Sequence, residues 1–139
     1  MQTSLDKFLS GFIECAIWCS TDDEGEPLDA LGLDLDADSL AAMRTDCAEF
    51  MEANSALLDE ATERPGYSWE RAGHDYWLTR NGHGTGFWDR DELSDGALGD
   101  RLTEACAAAG EAYILVTDDG DLQYLISGRT RLTTETTGA

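Results

Sequence analysis

HDYWLTRNGHGTGFWDR, residues 74–90, is the stretch on which the fold turns. It holds two histidines, two arginines, two aspartates, four aromatic residues and three glycines. Its centre, NGHG, is a two-residue hairpin signal with Asn81-Gly82 or Gly82-His83 at the tip, since Asn and Gly supply the positive φ that such turns require. Either register gives the same partition of side chains, because side chains alternate along a strand. His74, Tyr76, Leu78, Arg80, His83, Thr85, Phe87 and Asp89 would share one face. Asp75, Trp77, Thr79, Gly84, Gly86 and Trp88 would share the other, with Trp77 and Trp88 covering bare glycine backbone.

Downstream, Leu98 to Ala109 reads as a short alanine-rich helix stopped by Gly110, and AYILVTDDGDLQYLI as a second, more apolar hairpin turning at Asp119-Gly120. Upstream, Leu5, Phe8, Leu9, Phe12, Ile13, Ala16 and Ile17 recur at helical spacing between Ser4 and Ser20, with Thr3 or Ser4 as N-cap. TDDEGEPLDALGLDLDADS lacks an apolar period and is expected to be a loop, partly mobile. From Ser39 to about Arg64, Leu40, Met43, Cys47, Phe50, Met51, Leu57, Leu58 and Ala61 define one face of a single long helix ended by Pro65-Gly66. The order α-α-β-β-α-β-β predicts an α+β domain over residues 1–128, its four-stranded antiparallel sheet covered by helices, followed by a polar tail, 129–139, expected to fray. Trp77 and Trp88 are expected to pack on the first helix through Phe8, Phe12 or Trp18.

A chain of 139 residues supports one modest core. The N-terminus lacks a secretory pattern, and the longest apolar stretch, Phe8 to Cys19, is interrupted by Ser10, Gly11 and Glu14, so a soluble protein with no membrane partner is expected. Cys15, Cys19, Cys47 and Cys106 have no CxxC spacing and fall in helical segments, which suits reduced, buried thiols of a cytoplasmic protein better than a metal site. No metal or other cofactor is expected.

Chemistry on the NGHG hairpin would use His74 or His83 as general base, Asp75 or Asp89 to orient it, and Arg80 or Arg90 to stabilise an anion. A small hydrolase or transferase with His74, His83, Arg80 and Asp89 lining one face is therefore the enzymatic alternative. Against it, the stretch has no serine or cysteine nucleophile, no phosphate-cradling loop, and neither HExxH nor triad spacing. Turn glycines, packed aromatics and arginines paired with local acids account for the same letters.

The motif HDYWLTRNGHGTGFWDR followed by LGDRLTEA, with an acidic helix upstream, resembles a group of short acidic proteins of bacteriophage and prophage genomes over roughly residues 12–125. The resemblance implies a setting in the host cytoplasm during infection and transfers no catalytic residue. In charge, the chain is similar to phage anti-restriction and anti-CRISPR inhibitors.

Charge supplies the functional expectation. There are 29 acids against 9 bases, a formal net charge of −20 at pH 7. Residues 20–63 hold fourteen acids and one base, Arg44, a net of −13, against −6 for residues 64–139. Salt adaptation would spread acids over the whole surface, so clustering favours a partner. Such a field repels nucleic acid and attracts basic surfaces, and direct nucleic-acid binding is not expected. The expected function is that of a phage or mobile-element inhibitor of a basic, nucleic-acid-handling host defence protein, acting as an acidic nucleic-acid mimic that occupies its phosphate-binding site. Asp22, Asp23, Glu24, Glu26, Asp34, Asp36 and Asp38 on the loop, and Asp46, Glu49, Glu52, Asp59, Glu60 and Glu63 on the helix, would make the contacts. Along one continuous helix the latter six would span about 26 Å. An acidic adaptor for another basic protein is the remaining alternative.

Overall fold

In a computed structural model that describes residues 2–22, 24–82 and 84–126, the decisive stretch is helical where a strand was expected. Helix α1 spans Ser4–Cys19, α2 Ala37–Ala53, α3 Ser55–Thr62, α4 Trp69–Arg80 and α5 Leu98–Cys106; strands β1 (Ala112–Val116) and β2 (Leu122–Ile126) close the order. Among the described residues the chain thus forms five α-helices, several 3-10 turns and one two-stranded antiparallel sheet. The expected α+β domain with a four-stranded sheet is corrected to a mostly helical fold carrying a single hairpin. His83 and the 129–139 tail lie outside the described residues.

The physical reasons for α4 are local and tertiary together. Ser68 caps its start by accepting from Arg71 N–H at 3.1 Å, with Glu70 in the first turn and Arg80 in the last. Asn81-Gly82 then ends the helix: Asn81 is the C-cap, its Nδ2 donates to the Trp77 carbonyl at 3.0 Å, and Gly82 takes a left-handed φ of 63°. The same dipeptide serves a hairpin tip or a helix stop. Phe87, in a 3-10 turn over Phe87–Asp89, comes back against α4 by donating its N–H to Thr79 Oγ1 at 3.0 Å.

Helix α1 is as expected, with Thr3 and Asp6 forming a reciprocal capping box. The expected long helix is broken at Asn54, whose Nδ2 bonds back to the Phe50 carbonyl at 3.0 Å and whose φ of −125° leaves the helical range. Asparagine competes with helix backbone in this way, and the break divides α2 from α3. The second hairpin matches expectation: Ala112 to Val116 pair antiparallel with Leu122 to Ile126, and Gly120 takes a φ of 86° in the turn. The acidic loop carries the bridge Thr21↔Pro27, a 3-10 turn over Leu28–Ala30, and a short parallel bridge from Leu35 to Leu122.

The core lies where α1 and α4 cross and α2, α5 and the hairpin close around them. Phe8, Phe12, Phe50, Tyr76 and Phe87 form a contiguous aromatic cluster, with Phe50 and Tyr76 stacked at 4.1 Å between ring centroids. Trp77 meets Phe12 edge-on at 5.6 Å, as expected, whereas Trp88 and Trp18 are exposed. Cys15, Cys47 and Cys106 are buried, and burial pushes the Cys106 thiol up to about 12. Cys15 and Cys19 share a helix face with their sulfurs 3.7 Å apart. Among the described residues no helix is long and apolar enough to cross a membrane.

Candidate partner-binding surface

The charged residues of the 74–90 stretch are largely consumed inside the protein. Arg80 is fully buried and pairs with Asp46 of α2 at 2.6 Å. Its remaining donors reach the carbonyls of Gly110 at 2.7 Å and Ala109 at 3.0 Å, and its guanidinium lies over the Tyr76 ring at 4.9 Å. Asp46 also accepts from Tyr76 Oη at 2.8 Å and from Tyr124 Oη of β2. Burial, opposed by Arg80 and reinforced by Asp46, pushes both phenols well above the ordinary tyrosine range, so both remain donors. A second buried cluster joins the ends of the stretch. Arg90 grips Asp75 through Nε at 3.0 Å and Nη2 at 2.6 Å, and Tyr67 donates to the same carboxylate at 2.6 Å.

Of the residues of the enzymatic alternative, His74 and Arg80 are not brought to one face. His74 sits on the surface of α4 with Nε2 2.8 Å from Glu14 Oε1. Arg80, six residues on, lies roughly 240° further round the helix, in the core. Asp89 accepts from Thr85 Oγ1 at 2.9 Å. His83 lies outside the described residues. Because the His74–Glu14 contact is solvent-exposed, His74→Ala should lower stability by less than about 1 kcal/mol and leave partner capture unchanged. A urea midpoint and a pull-down on the same preparation check both parts.

The acids named for partner contact divide into three groups. Asp46 is a core residue and leaves the surface list, because it is buried against Arg80, Tyr76 and Tyr124. Asp22 and Asp36 act on their own backbone: Asp22 Oδ1 accepts from Glu24 and Glu26 N–H at 2.9 and 2.8 Å, and Asp36 caps α2 by accepting from Ser39 N–H at 2.7 Å. Glu24, Glu26, Asp34, Asp38, Glu49, Glu52, Asp59, Glu60 and Glu63 are exposed. Asp23 lies outside the described residues.

On α2 the helical period places Asp38, Glu49 and Glu52 within about 60° of arc, on the side opposite buried Met43, Cys47 and Phe50. With the break at Asn54, the acids of α3 do not continue that stripe in line, so the 26 Å array expected of one helix is corrected to two shorter segments. Arg44, the one base among residues 20–63, is directed away from them and pairs with Asp6 of α1 at 3.1 Å. Glu60 of the exposed group pairs with Arg64 at 2.9 Å.

Exposed acids also lie outside the 20–63 region. Asp118, Asp119 and Asp121 stand exposed at the hairpin tip, signalled in the sequence only as a turn, DDGD. Comparison of the chain with protein-family models, curated proteins and solved structures finds no match.

Proposed function

We propose that this chain is an acidic binding protein that occupies the phosphate-binding site of a basic, nucleic-acid-handling host protein. The observation that carries the reading is the exposure of seven carboxylates, Glu24, Glu26, Asp34, Asp38, Glu52, Asp59 and Glu63, while the region's single arginine is engaged elsewhere. A fold that keeps this much like charge on one region loses stability to self-repulsion, and an arginine- or lysine-rich partner relieves it. Recognition is by charge-assisted hydrogen bonds from those cations, which otherwise hold phosphate. The buried Asp46 takes no part; the loop, α2 and α3 do.

The test begins with capture of the partner from host lysate, followed by reversal of Glu26, Glu52, Asp59 and Glu63 to lysine. Affinity should collapse while the urea midpoint moves little, since the buried face of α2 and α3 is untouched. The same reversal at Asp95, Asp100, Glu104 and Glu111 should weaken binding much less. The wild-type on-rate should fall steeply as the Debye length shortens from about 10 Å at 0.1 M salt to about 3 Å at 1 M. Competing DNA or RNA should displace the protein. Equal losses from both reversal sets would defeat the regional reading, and failure of nucleic acid to compete would leave an adaptor for some other basic surface.

A further inference from the structure

The fold treats the two edges of the β1–β2 hairpin differently. Thr117 N–H donates to the Asp121 carbonyl at 2.8 Å, which sets the alternation of the ladder. Tyr113 with Leu125 and Leu115 with Gln123 exchange hydrogen bonds, while Ala112, Ile114 and Val116 on β1, and Leu122, Tyr124 and Ile126 on β2, turn their backbone groups outward. On β2 that edge is engaged. Leu122 donates to the Asp34 carbonyl at 2.9 Å and accepts from Asp36 N–H at 3.0 Å, and Tyr124 N–H donates to Ser39 Oγ at 2.9 Å. On β1 Ala112 N–H is held by Asn81 Oδ1 at 2.9 Å, but among the described residues the outward N–H and C=O of Ile114 and Val116 have no partner, and the edge is the more open at Val116, Ile114 being 5% exposed.

Beside this open edge lies a cleft of about 400 Å³, walled by Leu115 and Val116 on one side and by Thr21, Asp22 and Glu24 on the other. The hairpin tip that continues from Val116 adds exposed Asp118, Asp119 and Asp121. An unpaired strand edge is a template for another strand. Here its surroundings are acidic, and among the described residues none of these carboxylates is in an ion pair.

We propose that an extended, basic segment of the partner adds to β1 as a further strand. Its backbone would pair with Ile114 and Val116, and its alternate Lys or Arg side chains would reach the carboxylates of the cleft and hairpin tip. Main-chain bonds supply affinity in this mode and alternate side chains supply specificity. The proposal rests on the reading of this chain as a binder of cation-rich proteins and names the manner of binding. A second copy of the chain is a poorer occupant, because pairing two β1 edges would set the same acids against each other.

The experiment uses the isotopically labelled full chain and two decapeptides of equal charge, one alternating Lys and Val, the other Lys and Gly. The Lys–Val peptide should shift the Ile114 and Val116 amide resonances and slow their hydrogen exchange, and the Lys–Gly peptide should bind more weakly. Val116→Pro removes an outward donor without touching the inner ladder, and should weaken the Lys–Val peptide about tenfold, the equivalent of one hydrogen bond of roughly 1.4 kcal/mol. Should that variant fail to fold, a Lys–Val peptide N-methylated at alternate residues gives the same loss against the wild-type chain. Equal affinity for both peptides, or no response to either blocking change, would overturn strand addition. So would peptide effects confined to α2 and α3, although they would leave the basic-partner reading standing. Concentration-dependent protection of Val116 without peptide would assign the edge to a second copy and overturn the proposal as well. Absence of binding by either peptide overturns it too, and the lysate capture and charge reversals then judge the broader reading on their own.

Discussion

Arg80→Met should lower stability by about 3–5 kcal/mol, because it strands the Asp46 carboxylate in the core without its guanidinium partner. The guanidinium it removes is fully buried, makes four kinds of contact, and links α2, α4, β2 and the turn at Ala109-Gly110. Asp46→Asn leaves the opposite orphan, a buried cation facing a neutral amide, and should fall by a similar amount. Urea denaturation gives the measurement, with the midpoint dropping at unchanged slope. The double variant Asp46→Leu/Arg80→Met is the informative control. Replacing a buried pair by apolar residues of similar volume removes two desolvation penalties together, so its loss should be much smaller than the sum of the singles. Additive losses would mean that the two charges do not act as a unit.

Gly73→Ala carries the second large effect. A Cβ built on Gly73 of α4 stands 2.0 Å from the Phe8 carbonyl oxygen and 2.8 Å from Phe12 N, both backbone atoms of α1. Across the same crossing, a Cβ on Gly11 stands 2.0 Å from the Glu70 carbonyl oxygen. Helical backbone cannot yield as a flexible side chain does, so α1 and α4 would have to separate and the Phe8, Phe12 and Tyr76 rings between them would lose contact. Overpacking ordinarily costs about 1–3 kcal/mol, and this site should reach or exceed the upper end. Helix propensity pulls the other way by about 1 kcal/mol, which makes the sign decisive. A lowered urea midpoint supports the glycine crossing, and a raised one would show that the helices do not meet there.

The residues behind both predictions were visible in the sequence, but their meaning was not. Gly11 reads as an interruption of an apolar helix and Gly73 falls just before the aromatic stretch; neither pattern says that the two face each other across a helix crossing. Asp46 belongs by composition with its acidic neighbours on α2. Its burial depends on Arg80, Tyr76 and Tyr124, which lie 34, 30 and 78 positions away in sequence, and no local period can report a partner so distant. The contrast between the strand expected over 74–80 and the helix α4 has the same origin. When Asp75 and Arg80 are themselves core residues, a count of apolar positions sees only part of the buried face. Alternation of Tyr76, Leu78 and Arg80 then looks like a strand, and Asn81-Gly82 looks like its turn.

What the sequence determined by itself rests on short-range physics. The capped amphipathic helix α1 follows from the spacing of Phe8, Phe12 and their neighbours. The turn at Asp119-Gly120 follows from the need for positive φ, and the concentration of acids between residues 20 and 63 is simple composition. Tertiary structure decided whether 69–80 became helix or strand, where the long acidic helix broke, which of its acids faced solvent, and which hairpin edge stayed open. Each of those outcomes depends on what packs against the segment: a buried ion pair, a glycine crossing, or a neighbouring loop that engages one strand edge and leaves the other beside a cleft. Those contacts join residues far apart in the chain, and their energies are comparable to or larger than the local preferences they override.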